Sequence, residues 1–321
     1  MTARLLRIGS RGSRLAMWQA GFVSQALSAG GIESEIIPIT TKGDQLTGSL
    51  RDAGGEGLFT KAIQEALLHD AIDVAVHSLK DLATQPVPGL ALAAVPARAS
   101  AADVLASDTP YTNLDDLPQK ARIGTGSPRR SAQLLHYRPD LEMVEIRGNV
   151  ESRLQKLQTD QLDAVVLAEA GLARLERTDR ISLHLPMTQI LPAAGQGALG
   201  IEIREGDIFS SDAVRTLDDP ISHACIIAER TILEMLRAGC LAPVGVWARP
   251  ELEVQENNAG LLSKTRLRID AAVLSADGKK RIATTAKGVA DDARFLGQCA
   301  AGGLEAEGAL DLIRNERLPQ S

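Results

Sequence analysis

Aromatic side chains, cysteines and long apolar runs are all scarce in this chain. Aromatics make up 2% of its 321 residues, too few for a base-stacking platform or an aromatic cage. The three cysteines, Cys225, Cys240 and Cys299, are odd in number and far apart. That fits reduced thiols rather than a disulfide framework. No CxxC or HExxH occurs and the five histidines are scattered, so no metal site is expected. No apolar run approaches the roughly 20 residues of a membrane span. The N-terminus, MTARLLRIGSRGSRLAMWQA, has no apolar core or small-residue cleavage signature of a signal peptide. A cytoplasmic protein with no membrane partner is therefore expected. Excess basic charge is missing too: the formal net charge is -6. That argues against a nucleic-acid partner, and any anion site must be a local basic cluster on an acidic body.

What is present is ordinary globular material, 44% hydrophobic and 24% charged. It suffices for two or three domains, each with its own core. Leu5, Leu6 and Ile8 read as a strand leading into Gly9-Ser10-Arg11-Gly12-Ser13. Residues 15–27 then carry a helical period, with Ser13 as N-cap. A strand is expected over 33–40, a glycine-rich polar loop over 42–57, a helix over 59–68 and a strand through Ile72, Val74 and Val76. The alternation restarts at Arg122-Ile123-Gly124, with helices over 129–135 and 150–157 and strands over 143–146 and 164–167. Such alternation predicts parallel strands joined by helices, hence an α/β chain with two lobes. Two crossings are expected, near 96–100 and at Leu191-Pro192-Ala193-Ala194-Gly195-Gln196-Gly197, with a strand over 198–203 returning to lobe one. Two crossings make a hinged cleft. From about Pro220 the character changes. A helical pattern over 222–236 stops at Gly239, a hairpin turn is expected at Asp277-Gly278, and a last helix starts near Asp291. The domain limits read this way are 1–97 with 198–217, then 98–197, then a small α+β domain over 218–321.

The strongest chemical signal is Gly124-Thr125-Gly126-Ser127-Pro128-Arg129-Arg130, which follows a strand and opens a helix. Pro128 suits the first helical position, and free N–H groups with the helix dipole attract anions. Arg129 and Arg130 add forked donors matched to carboxylates. The plainer reading is a solvated helix start. Arg147-Gly148-Asn149, ahead of a helix carrying Arg153, repeats the arrangement, and Arg11 between Gly9 and Ser13 is a third case. Junctions of this kind lie at the carboxyl ends of strands, where open α/β sheets bind ligands. Arginine at all three suits a ligand with many carboxylates, at about 1.5–3 kcal/mol per charge-assisted contact. The run from Asp73 to Asp81 reads as a buried strand ending in polar groups. Taken alone, Asp81 fits a helix cap or ion-pair partner, and His77 a structural histidine. Cys240 follows the helix stop, placed either to react or to pack as a small hydrophobe. Cys225 and Cys299 fall in helical patterns and read as structural. Gly195 to Gly200 matches GxGxxG, but it precedes a strand instead of following one, so no dinucleotide loop is expected.

The pieces RIGSRGSRLAMWQA, GLFTKAI, DVAVHSLKDL, GTGSPRRSAQL, RPDL, IRGNVESRL, DAVVLAEAGLARL, LPAAGQGALGIE, AER and AGCLAPVG, in this order, resemble the porphobilinogen deaminase (hydroxymethylbilane synthase) family. The resemblance runs from Arg7 to about Gly245 and more weakly beyond. It implies a transferase that joins four porphobilinogen molecules head to tail, losing ammonia each time, into hydroxymethylbilane, a precursor of haem. The chain of pyrroles grows on a dipyrromethane cofactor held by a thioether to cysteine. The implied fold is two periplasmic-binding-protein-like lobes around a hinged cleft plus a small α+β C-terminal domain, and the family favours a monomer. Motif by motif, the resemblance makes Cys240 the attachment point and Asp81 the catalytic aspartate. It makes Lys80, Ser13, Thr125, Ser127, Arg129, Arg130 and Gln196 cofactor contacts. Arg11, Arg147, Arg153, Arg174 and Phe59 become substrate contacts.

The chain departs from the family pattern at several places. Glu56 and Ala62 stand for a usual lysine and glutamate, and Ser100-Ala101-Ala102-Asp103 replaces a DPRD-like stretch, losing an arginine. Gly126 and Pro128 replace commoner serine and leucine. None of these touches Asp81 or Cys240, so the activity is expected to stand. The rival from another class is a non-catalytic two-lobed protein that binds a small polycarboxylate or tetrapyrrole. The third domain with Cys240 argues against it.

Overall fold

The computed structural model describes residues 4–41, 60–239, 242–251 and 265–317. The loop expected over 42–57, with Glu56, and the residues Phe59 and Cys240 lie outside the described residues. β1 (Leu6–Arg11) leads into α1 (Arg14–Ala29), and β2 (Ser34–Ile39), α2 (Lys61–Leu68), β3 (Val74–Ser78) and β4 (Leu90–Ala94) follow. The chain then crosses to a second lobe. There it forms β5 (Asp103–Ala106), β6 (Arg122–Gly124), α3 (Pro128–Tyr137), β7 (Glu142–Val144), α4 (Val150–Thr159), β8 (Ala164–Ala168), α5 (Glu169–Arg174) and β9 (Ile181–His184). It crosses back as β10 (Leu199–Arg204), followed by α6 (Ile208–Arg215).

The strand order is β2-β1-β3-β10-β4 in the first lobe and β7-β6-β8-β5-β9 in the second. β1 and β6 lie between parallel neighbours. β10 and β5 run antiparallel to both of theirs. The expectation of parallel sheets is corrected at these strands. Each arrives from the other lobe at the carboxyl edge of its sheet, so it must run against the strands it joins. The fold is otherwise the two-lobed α/β arrangement expected. β4, β5 and β9 were not anticipated. They are short, and β4 is alanine-rich, with little of the β-branched content that marks a strand.

Cores follow the two periods of the sequence. In α1, Ala16, Ala20, Val23 and Leu27 fall on one buried face, against Leu6, Ile8 and Val74 of the sheet. In the second lobe, alternation splits the strands between two clusters. Leu105, Ile123 and Val166 pack on one face with Leu134, and Val104, Val165 and Leu167 on the other with Leu154.

The C-terminal part begins with α7 (Pro220–Met235), started by Pro220 and by the Asp219 carboxylate, which accepts from the Ser222 N–H at 2.7 Å. β11 (Val244–Glu251), β12 (Arg266–Leu274) and β13 (Arg281–Val289) form an antiparallel sheet in that order. α8 (Ala293–Ala306) packs against α7 and β13, and α9 (Ala309–Arg317) closes the element order. The hairpin turn falls at Asp277-Gly278 as expected, with Gly278 at φ +72°. Cys225 is buried, but Cys299 is exposed. The reading of Cys299 as a structural thiol is corrected: it lies off the buried face of α8, which carries Leu296, Ala300 and Leu304.

One carboxylate ties the three parts together. Glu229 of α7 is fully buried. It accepts from Arg98 Nη1 of the first crossing at 2.7 Å, from the Gly195 N–H of the second crossing at 2.7 Å, and from the Ala248 N–H of β11 at 2.8 Å. Removing one partner of such a buried pair costs about 3–5 kcal/mol. Among the described residues no helix is long and apolar enough to cross a membrane.

Candidate active site

In lobe one, β1 ends at Arg11 and the Ser13 hydroxyl caps α1, accepting from the Ala16 N–H at 3.3 Å. β3 ends at Ser78 and the chain enters a 3-10 turn, Leu79–Asp81. Its first N–H, of Leu79, donates to the Ala198 carbonyl at 3.1 Å, and the Leu82 N–H closes it on the Leu79 carbonyl at 3.2 Å. Asp81 therefore stands at the carboxyl edge of the sheet, as the sequence predicts. Arg11, Ser13, Gln19, Ser78 and Asp81 line one cleft of about 440 Å³, open to solvent. Thr60 forms part of its wall, and the buried Thr60 Oγ1 has no hydrogen-bond partner among the described residues. His77 Nε2 lies 3.0 Å from Glu202 Oε2, which also accepts from Gln64. The contact has the distance of an ion pair but is out of line for a hydrogen bond. His77 belongs to this buried group, in keeping with a structural histidine.

In lobe two, the Ser127 hydroxyl caps α3 and Thr125 Oγ1 accepts from the Ser127 N–H at 3.2 Å. Arg129 and Arg130 are 4% exposed and both grip the buried Asp103. Arg129 Nη1 donates to Asp103 Oδ2 at 2.7 Å, and Arg130 Nη2 to Oδ1 at 2.6 Å. Gln196, on the second crossing, donates to Asp103 Oδ1 at 2.9 Å and to the Ala101 carbonyl at 2.7 Å. Both guanidiniums are thus partly matched inside the protein by one carboxylate. Burial pushes the Asp103 carboxyl up, but Arg129 and Arg130 more than offset it and hold it well below the ordinary carboxylate range. Burial in turn lowers Arg129, against the attraction of Asp103.

Burial pushes the Lys80 ammonium down to about 8, opposed by Asp81 and aided by Arg130. Burial lowers Arg153 to about 10, with Arg130 adding and Asp81 opposing. Arg153 Nε is buried with no hydrogen-bond partner among the described residues. Lys80 and Arg153 thus each feel both Asp81 and Arg130. Arg147, at the end of the β7 junction, pairs with Glu145, its Nε 3.1 Å from Oε1. It precedes Gly148 at φ +116°, where a Cβ would sit 2.0 Å from Ser152 Oγ. Arg174 reaches back toward lobe one. Its Nη2 donates to the Gly197 carbonyl at 2.7 Å, its Cζ lies 5.6 Å from the centre of the Trp18 ring, and burial lowers it to about 10. Gly195 and Gly197 have positive φ, and a Cβ on Gly197 would lie 2.5 Å from the Ser100 carbonyl. Gly197 thus lets the two crossings touch, while a Cβ on Gly195 would meet Leu79 and the Lys80 N–H of the turn.

Cations therefore outnumber carboxylates around one aspartate. A desolvated guanidinium without a carboxylate favours binding an anion. A ligand bearing several carboxylates fits this donor set, and Asp81 fits a cation that develops on such a ligand. Lys80 and Gly239, the residue before Cys240, line a second cavity of about 300 Å³. Among the described residues no cluster suits a metal ion. Sequence reasoning gave no role to Asp103, Arg98 or Glu229. The pieces that contain Asp103 and Glu229 were visible, but their partners lie 19 or more residues away.

Comparison with known proteins gives one family over most of the chain. Residues 6–211 match "Porphobilinogen deaminase, dipyromethane cofactor binding domain", and residues 223–306 match "Porphobilinogen deaminase, C-terminal domain". A porphobilinogen deaminase of Moorella thermoacetica is 41% identical over 312 residues, covering 96% of each chain. That of Geobacter metallireducens is 40% identical over 316 residues, covering 98% of this chain and 95% of the relative. That of Syntrophotalea carbinolica is 44% identical over 251 residues, covering 77% and 79%. Among solved structures, a periplasmic substrate-binding protein of an ABC transporter from Coxiella burnetii is similar at a TM-score of 0.43 and 15% identity, covering 68% of this chain and 94% of that one.

Proposed function

The chain belongs to the porphobilinogen deaminase family, and from that premise we propose which of its residues carry the family's reaction. Four porphobilinogen molecules are joined head to tail into hydroxymethylbilane on a covalently bound dipyrromethane primer. At each addition the aminomethyl C–N bond breaks and ammonia leaves. A C–C bond then forms to a pyrrole α-carbon, which loses its proton. When bound, the dipyrromethane supplies the first such α-carbon.

The observation that carries the assignment is one carboxylate, Asp81, on a turn within the field of Lys80, Arg130 and Arg153. Losing ammonia leaves a delocalised cation on the incoming porphobilinogen unit. The Asp81 carboxylate stabilises that cation and accepts from pyrrole N–H groups. Proton transfer by Asp81 is the lesser role. Lys80, Arg129, Arg130, Ser13, Thr125, Ser127 and Gln196 hold the primer, and Cys240 carries it through a thioether. Arg11, Arg147, Arg153, Arg174 and Phe59 bind the acetate and propionate groups of the substrate and growing chain. Residues 1–97 with 198–217 supply Asp81, residues 98–197 the arginine side, and residues 218–321 the attachment. The protein works as a cytoplasmic monomer.

The test is the intact mass of purified protein beside a Cys240→Ser variant. The expected result is an excess equal to two linked pyrrole units in the parent and none in the variant. An unmodified parent that stays unmodified after incubation with porphobilinogen would leave a binding protein in place of the transferase.

A further inference from the structure

Asp81 sits on a turn that an arginine of the C-terminal part holds from outside. Leu79 ties the start of the turn to the Ala198 carbonyl. Past its end the chain leaves the sheet, and the carbonyls of Leu82 and Ala83 meet Arg230 of α7. Arg230 Nη1 donates to the Leu82 carbonyl at 3.0 Å and Nη2 to the Ala83 carbonyl at 2.6 Å. A planar fork on two successive carbonyls fixes direction as well as distance, which a point-like ammonium does not. The preceding residue in α7, Glu229, holds both crossings and β11. Arg230 therefore springs from a helix anchored to both crossings and β11. The same helix ends at Met235, and the chain continues through Ala238 and Gly239, the residue before Cys240. Arg230, Lys80, Ala83 and Gly239 line one cavity.

We propose that Arg230 is a positioning residue. It sets where the Lys80–Asp81 turn stands relative to the segment that leads to Cys240. The Asp81 carboxylate is thereby held at the edge of the cleft it lines. The inference rests on the roles assigned above to Asp81 and Cys240. Its expected effect falls on kcat, because a misplacement of about 1 Å costs about 100-fold when reacting groups must be aligned. Substrate binding is left to arginines that Arg230 does not touch, so KM for porphobilinogen stays near the parent's.

The experiment uses full-length Arg230→Ala and Arg230→Lys with the parent alongside. Intact mass gives the fraction carrying the primer, a thermal melt gives the folded fraction, and kcat and KM are expressed per folded, primer-bearing molecule. The expected result for Arg230→Ala is a kcat about 10–100-fold lower with KM within about threefold. Arg230→Lys should lose less, and added ethylguanidinium should restore part of the kcat of Arg230→Ala. A kcat within about twofold of the parent, or a loss lying wholly in KM or in the primer-bearing fraction, overturns the proposal. If Arg230→Ala does not fold, Arg230→Lys decides by the same criterion. A parent with neither primer nor turnover overturns the reading of the site, and this proposal with it. An active parent beside an unaffected Arg230→Ala overturns the proposal alone.

Discussion

β3 and β8 are counterparts in sheets of the same strand order, and each runs five residues to the cleft, to Ser78 in lobe one and Ala168 in lobe two. After Ser78 a short turn presents Lys80 and Asp81. After Ala168 the chain passes straight into α5, and the equivalent places hold Ala170 and Gly171. The returning strands differ in the opposite sense. Leu199 of β10 stands opposite Ser78, while Asp103 of β5 stands opposite Ala168. Each lobe thus has a carboxylate at this edge, Asp81 in the turn of the first and Asp103 in the returning strand of the second. Two guanidiniums match Asp103 inside the protein before any ligand arrives. Asp81 lines the open cleft. One backbone plan yields a carboxylate matched inside the protein and one that lines the open cleft, and the difference lies in what each meets.

That contrast breaks if Asp81 can be neutralised without loss. Asp81→Asn should lower kcat by about 100–1000-fold, the scale of removing one group that stabilises developing charge. Asp81→Glu should retain more. The measurement is ammonia and tetrapyrrole formed per primer-bearing molecule. Equal activity in Asp81→Asn and the parent would remove the asymmetry between the lobes.

Asp103→Asn should act on stability instead. It leaves two buried guanidiniums uncompensated, at a cost of about 3–5 kcal/mol, read from urea unfolding at neutral pH. Because the folded Asp103 carboxyl lies below its ordinary value of 3.8, its contribution is complete above that pH. It is lost as pH falls through the lower folded value. A variant that unfolds at the parent's urea midpoint would mean that Arg129 and Arg130 do not need Asp103.

The arginine side sharpens the comparison further. Arg153→Leu or Arg147→Leu should slow one addition by about 10–100-fold, the worth of one charge-assisted contact, so that a pyrrole chain of defined length accumulates on the protein. Mass spectrometry of protein-bound intermediates reads this directly. A uniform slowing without a trapped length would place these arginines outside the path of the growing chain.

Local signals made much of this legible in the sequence. Ser13 caps α1 where a hydroxyl precedes an apolar period, Pro128 opens α3, and the GxGxxG stretch leads into β10. The carboxyl-edge positions of Arg11 and Asp81 came from strand ends alone. Pairings over distance were not legible. Nothing in the period of residues 100–106 shows that Asp103 meets two arginines, and Arg98 and Glu229 are 131 residues apart. Burial of Arg129 and Arg130 was missed for the same reason. A basic pair after a glycine loop reads as an exposed pair until its carboxylate is found. Cys240 rests on the family resemblance, since its spacing alone left reactive and inert thiols equally open.

Lys80 gives the smallest effect and the finest probe of the edge. Its folded value near 8 lies below the ordinary 10.5, so the fold disfavours its charged form. Through this group stability rises with pH between about 8 and 10.5, where the unfolded chain binds the extra proton. Carboxylate binding runs the other way. Its positive charge is lost as pH rises through that value, and the carboxylates of a bound primer move the transition upward. The kcat/KM of the parent should therefore fall by a few-fold, about the worth of one weakened contact, on an alkaline limb at or above about 8. Lys80→Arg should not show this limb, because a guanidinium stays charged there. Coincident limbs in the two proteins would assign the titration to another group. Lys80 would then serve the edge only by its shape.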